Sequence, residues 1–239
     1  CRFMICRQNR VSMVDNWIEF SLALAVFFVL HAVPVRPAVK SRIVGRFGAR
    51  TFSIAYSIVS VLALAWLIVS AGRAPYVEIW QPAPWQSAVT LAAMLLACIV
   101  FALSIGRPNP FSFGGSRKSS FDPTRAGVVR VHRHPLLVAL LLWSGSHVLP
   151  NGIVAHLVMF GIFAAFTLVG MRLIDRRKKR EIGQARYQEL QEDMRRVLVA
   201  ESFRAQDLLV RMCAGFALFA ILLALHPAVI GVSPLAAVL

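Results

Sequence analysis

The sequence predicts an all-α protein, a polytopic membrane helical bundle with about six transmembrane helices. Three observations carry that prediction. Hydrophobic residues make up 58% of the 239 positions, and the mean hydropathy of +0.66 exceeds that of ordinary soluble domains. Apolar runs recur at close to the roughly 20 residues that a helix needs to cross a bilayer. The cations fall between those runs. The net charge of +15 therefore sets topology and meets anionic lipid head groups, and nucleic acid is not expected as a partner. The four cysteines, Cys1, Cys6, Cys98 and Cys213, form no CxxC or zinc spacing and read as packing residues.

Residues 1–12 are basic and lie upstream of Met13. They are expected to be an upstream or disordered tail, with a single membrane domain over 13–239. Trp17 to Pro34 is the first span, closing on His31 and broken by Pro34 and Pro37. Arg36, Lys40, Arg42, Arg46 and Arg50 follow without an acid, in a short interfacial loop or helix. Thr51 to Ala71 is the second span, with Ser53, Tyr56, Ser57 and Ser60 along one helical face. Gly72 to Gln86 carries Trp80 and Trp85, aromatic anchors for a membrane edge.

Ser87 to Ile105 is the third span. Gly106 to Arg133 is polar and rich in glycine and proline, and reads as a long loop. Its Gly114-Gly115-Ser116-Arg117-Lys118 lacks phosphate-loop spacing. His134 to Leu149 is a short fourth span, with Pro135 at the first helical position and a Pro150-Asn151-Gly152 turn beyond it. Ile153 to Leu173 is the fifth. Residues 172–207 form a charged cytoplasmic segment containing a helix lying on the surface. Leu208 to Leu225 is the sixth, ending at His226-Pro227.

The basic loops follow spans one, three and five, which places both termini outside the cytoplasm. The six histidines then sort by depth. His31, His132 and His134 fall at the inner side, and His147, His156 and His226 at the outer side. An ionisable residue in a membrane helix marks a candidate site. Imidazole is a metal and haem ligand, so His31, His134, His147 and His226 are the candidate cofactor-binding residues. His132 and His156 read as interfacial or capping side chains. No carboxylate is placed within a span except Glu19, near one end, so no catalytic acid or base is assigned.

These residues resemble the NnrU family of bacterial inner-membrane proteins, and their relatives the 15-cis-zeta-carotene isomerases. The resemblance rests on His31-x-x-Pro34, Gly48-x-Arg50 with Tyr56-Ser57, and Ala74-Pro75…Trp80. It continues through Arg133-His134-Pro135…Trp143…His147…Asn151-Gly152 and His226-Pro227…Gly231, covering nearly all of 17–234. It implies an inner-membrane protein associated with denitrification, a haem b cofactor, and His31 and His147 as the metal ligands. Ser144 stands where the isomerases carry a cysteine, so ligand switching is not implied. Depth alone offers other pairs, His31 with His134 or His147 with His226, because ideal helices separate His31 from His147 by roughly 15 Å.

The resemblance further implies nitrogen-oxide reductase or other respiratory components as partners, and a hydrophobic small molecule as substrate for isomerase-like redox chemistry. A non-enzymatic assembly or regulatory partner of a respiratory complex is the alternative. A fainter likeness to isoprenylcysteine carboxyl methyltransferases rests on Arg133-His134-Pro135 with Gly183 and Tyr187. It would imply S-adenosylmethionine.

Overall fold

A computed structural model describes residues 2–113 and 121–236, with side chains from Val14 onward. The glycine-rich segment read above as loop, Gly114 to Lys118, lies outside the described residues. The chain forms nine α-helices over the described residues: α1 Arg2–Ala32, α2 Pro37–Phe47, α3 Ala49–Arg73, α4 Pro84–Ser104, α5 Val128–Val131, α6 Pro135–Val148, α7 Val154–Ile182, α8 Gln184–Arg196 and α9 Ala205–Ile230. Five are long and apolar enough to span a bilayer: α1 from Val14, α3, α4, α7 and α9. The protein is thus a multi-pass all-α membrane protein. The expected fourth span is the apolar helix α6, only 14 residues long. That is about 21 Å against a hydrocarbon core of about 30 Å.

The chain divides into two compact units. The first comprises Cys1–Trp80 and Ile153–Met159. Within it α1 and α3 pack antiparallel. Tyr56 near the start of α3 donates to the carbonyl of His31 at the end of α1, at 3.4 Å. At the opposite end Glu19 accepts from the Trp66 indole at 3.3 Å and pairs with Arg73 at 3.5 Å. The short α2 bridges them. Pro37 occupies its first turn, where a missing N–H costs nothing. The Val154 N–H reaches the Val77 carbonyl at 2.9 Å, tying the start of α7 to the end of this unit's main segment.

The second unit comprises Gln81–Gly152 and Phe160–Leu239, and α4 is its central helix. Pro84 opens α4, and Gln86 Oε1 accepts the Ala83 N–H at 2.7 Å, supplying a cap that alanine lacks. Both α6 and α9 run antiparallel to α4. Thr90, near the start of α4, donates to the carbonyl of Ser146 at the end of α6, at 2.9 Å. Arg211, near the start of α9, donates to the carbonyls of Ala102 and Ile105 at 2.9 and 2.7 Å. A Cβ on Gly215 would stand 2.8 Å from the Ile99 backbone, so glycine is what lets α9 approach α4 this closely.

Three sequence expectations need correction. The 106–133 stretch is not an unpatterned loop. Phe111, Ala126 and Val129 are buried against Tyr187, Leu190 and Met194 of α8. Glycine and proline interrupt its apolar positions and hide any period. For the same reason α8 does not lie free on a surface. One face of this charged helix carries Tyr187, Leu190 and Met194 at helical spacing, and that face is buried. The fifth span also continues beyond Leu173. Its helix runs to Ile182, and Gly183, at φ +86°, makes the break before α8.

Candidate functional site

The second unit holds two clusters at opposite ends of α6. The first is centred on Asp175, a carboxylate that the sequence reading passed over. Arg133 grips it with Nε at 2.9 and 3.0 Å and a terminal nitrogen at 2.6 Å. His134 Nε2 lies 2.9 Å from Oδ1. The Tyr187 hydroxyl donates to the same oxygen at 2.6 Å. Three donors from two segments, Arg133-His134 and α8, thus converge on one anion on α7. His134 and Tyr187 are 0% and 1% exposed, so their two bonds form away from water, where charge-assisted bonds are strongest, whereas the Arg133 side chain remains 41% exposed.

Local structure explains the convergence. His134 precedes Pro135 and caps α6 with φ −119° and ψ 58°, a conformation outside the α region that the residue before proline avoids. Its backbone N–H donates to His132 Nδ1 at 3.1 Å. Asn109 Nδ2 donates to the carbonyl of Arg133 at 3.0 Å, and Asn109 Oδ1 accepts the Phe111 N–H at 2.9 Å. Phe111 then meets Tyr187 edge-on, with centroids 5.1 Å apart. Asn109 and Phe111 therefore fix both the Arg133 backbone and the Tyr187 ring. Lys179 lies 5.3 Å over the outer face of that ring. Burial first, and then the Asp175 bond, push the Tyr187 hydroxyl above its ordinary range. Burial first, and then Arg133, hold His132 below the ordinary imidazole range.

A second set of charges joins the end of α4 to the start of α9. Arg107 pairs with Asp207, which also accepts from Arg211 Nε at 2.8 Å. The Arg107 guanidinium lies where a Cβ on Gly127 would stand, and Gly127 adopts φ +57°. Only glycine meets both demands.

The other cluster surrounds His147, in the last turn of α6. Its Nδ1 is 2.7 Å from the Trp143 carbonyl. A carbonyl only accepts, so Nδ1 carries the proton and Nε2 keeps its lone pair. The ring packs at 5.0 Å from Phe160 and 5.8 Å from Trp143, and Trp143 stacks on Phe163 at 5.7 Å. Asn151 closes the last turn, donating to the His147 carbonyl at 2.7 Å.

His31, in the first unit, has the same design. Its Nδ1 lies 2.9 Å from the carbonyl of Phe27, four residues back, and its ring is 4.0 Å from Phe27 and 6.1 Å from Tyr56. His226 Nδ1 lies 2.7 Å from the Val232 carbonyl. Nε2 is left as an acceptor in all three. His147 and His226 share one end of the second unit, because α6 and α9 both run antiparallel to α4. His134 lies at the other end, 13 positions from His147 and about 20 Å along the helix. Its Nε2 faces Asp175, and its Nδ1 is buried without a partner among the described residues. His156 likewise has a buried, unpartnered Nδ1.

The structure therefore brings His147 and His226 to one end, and joins Arg133, His134 and Tyr187 through an unforeseen Asp175. One signal could have found that aspartate. It is the lone acid at the head of the Arg176-Arg177-Lys178-Lys179-Arg180 run, where a carboxylate invites a pairing role.

Comparison with known proteins identifies a family. The family model described as NnrU protein matches residues 19–234. No curated protein matches the chain, and neither does any solved structure.

Proposed function

This chain belongs to the NnrU family, and from that premise we propose that it is a haem-binding protein of the bacterial inner membrane serving nitrogen-oxide respiration or its regulation. One observation carries the haem reading. His31 and His147 each donate Nδ1–H to the carbonyl four residues earlier. That bond fixes the tautomer, orients the ring and raises the basicity of the free Nε2, as outer partners of ligating histidines do. The donor chemistry thus fits a b-type haem with two imidazole ligands. His147 is the first ligand. His31 is its partner by resemblance to the isomerases, and His226 is the competitor, since it shares the end of the second unit with His147.

Bound there, haem supplies a one-electron couple, and isomerase-like redox chemistry on a hydrophobic small molecule is one use of it. The protein's own contribution is ligand orientation and water exclusion. Phe160 and Trp143 wall the His147 ring with apolar surface, and Phe163 stacks behind Trp143. Phe27 and Tyr56 do the same for His31.

The experiment is spectroscopic. The protein is purified from haem-supplied membranes, and oxidised and reduced spectra are recorded for wild type and for His31→Ala, His147→Ala and His226→Ala. The expected result is a Soret band that His147→Ala abolishes or shifts strongly, with the second loss in His31→Ala. Loss in His226→Ala instead reassigns the second ligand. A fully reconstituted protein with no Soret band overturns the reading.

A second reading is a non-enzymatic assembly or regulatory partner of a respiratory membrane complex. Its specific support is the Asp175 cluster, whose donors and acceptor satisfy one another, as expected of a structural brace. Function that survives loss of His31, His134, His147 and His226 together, with an oxidoreductase still co-purifying, would favour it.

A further inference from the structure

The first unit contains an apolar groove that meets the haem reading only at the Tyr56 ring beside His31. It has a volume of about 470 Å³ and is lined by Leu30 of α1, Ile43 and Phe47 of α2, and Phe52, Tyr56 and Val59 of α3, among others. That volume falls within the range of roughly 300–1,000 Å³ typical of small-molecule sites. The groove has a charged rim. Lys40 Nζ lies 5.7 Å over the Phe52 ring, and the Arg46 guanidinium lies 5.7 Å over the Phe47 ring. Both rings line the groove, so the two cations are anchored on its walls. Arg36, Arg42 and Arg50 lie on or beside the same short helix, and no acid occurs from Arg36 to Arg50.

We infer that this groove is a specific site for an anionic glycerophospholipid, with one acyl chain lying along α1, α2 and α3 and the phosphate held by Lys40 and Arg46. Charge complementarity selects the occupant. A zwitterionic lipid brings a choline or ethanolamine cation toward five basic residues, whereas a phosphatidylglycerol-type head group brings only negative charge. The two halves of the site match the two halves of such a lipid. The interior is apolar, and the cations stand on its aromatic rim. A free phosphate would engage the rim and leave the groove empty. A neutral polyene would fill the groove and leave the cations without a counter-charge. The helix α2 has no buried residue of its own. An acyl chain beneath it would supply the apolar contact that Ile43 and Phe47 lack.

Native mass spectrometry of the full chain in detergent tests this, with dioleoyl-phosphatidylglycerol and dioleoyl-phosphatidylcholine at equal concentration. Two surface cations imply a preference of roughly thirtyfold for the anionic lipid. The double variant Lys40→Gln with Arg46→Gln, both at exposed positions, should bring that ratio close to one. Ala55→Trp, which places an indole in the groove wall, should reduce retention of both lipids. Glycerol phosphate should not displace the bound lipid. A ratio near one in wild type overturns the proposal. So does an unchanged ratio in the double variant, full retention in Ala55→Trp, or displacement by glycerol phosphate. The double variant leaves the buried residues untouched, so it remains informative if Ala55→Trp folds poorly.

Discussion

The helix α6 carries a histidine at each end, and the two ends treat the imidazole in opposite ways. At the start, His134 is fully buried and its Nε2 faces the Asp175 carboxylate. Near the end, His147 gives its Nδ1 proton to a backbone carbonyl and holds Nε2 free among aromatic rings. The residue type is the same and so is the helix. What differs is the position within the turn. A histidine before Pro135 lies outside the helical ladder and is free to reach a side chain on another element. A histidine inside the last turn meets the carbonyl four residues back. One end is thus built as a brace, with every strong donor satisfied, and the other keeps one lone pair available, as the proposed haem reading requires.

The sharpest way to break this comparison is to remove the anion. Asp175→Ala strips Arg133, His134 and Tyr187 of their shared acceptor and leaves buried donors unpaired. The Arg133 side chain is 41% exposed and regains water, so the cost is that of the two buried donors, His134 and Tyr187, about 1–3 kcal/mol each. The expected outcome is a large fall in thermal stability of the detergent-purified protein, with any haem spectrum unchanged in the fraction that remains folded. A melting temperature close to wild type would mean that the cluster is no brace. Loss of the spectrum in folded protein would mean that the two ends are one site.

Tyr187→Phe is a milder cut at the same end. It keeps the ring that packs on Phe111 and removes only the hydroxyl, a bond to a charged group worth about 1.5–3 kcal/mol. Stability should fall by less than in Asp175→Ala, and the two substitutions together should be far from additive, because they share one interaction. Additive losses in a double-variant melt would place Tyr187 outside the network. At the other end, Asn151→Ala removes the side chain that closes the last turn on the His147 carbonyl. A neutral hydrogen bond of this kind contributes about 1 kcal/mol. The smaller stability loss should come with a shift in any haem spectrum, since the turn holding His147 loosens. A melt or spectrum that ranks Asn151→Ala above Asp175→Ala would invert the assignment of roles.

Much of this architecture is legible in the sequence, for identifiable reasons. The spans declare themselves through uninterrupted apolar length, and the histidines through their rarity within such runs. Pro135 marks the start of α6, and Pro150-Asn151-Gly152 marks its end. The brace is not legible in the same way. Asp175 is 41 positions from His134, and it sits against a basic run that reads as an ordinary membrane-edge anchor. Its role comes from three partners brought together by packing, which no local pattern encodes. Tyr187 is visible only as a faint motif. The apolar positions of 106–133 are masked by the glycines and prolines that let that stretch fold back on α8. Helix length misleads for a related reason. Charges at Arg172 and Asp175 end the apolar run, but α7 continues as a helix because nothing there breaks it until Gly183.

The smallest effect expected is a pH dependence at the brace, and it follows from His132. The N–H of His134 donates to His132 Nδ1, a bond that requires that nitrogen unprotonated. Burial and the neighbouring Arg133 hold this imidazole below its ordinary range. Its folded form therefore binds fewer protons than its unfolded form between the lowered value and about 6.5. The stability it contributes is complete above about 6.5 and is lost as pH falls through that window, at most about 1.4 kcal/mol for each pH unit of the depression. Melts of wild type should decline across this range. His132→Asn, whose side-chain oxygen can accept the same N–H without titrating, should decline less. Equal slopes in the two proteins would show that the start of α6 is held by Asp175 alone.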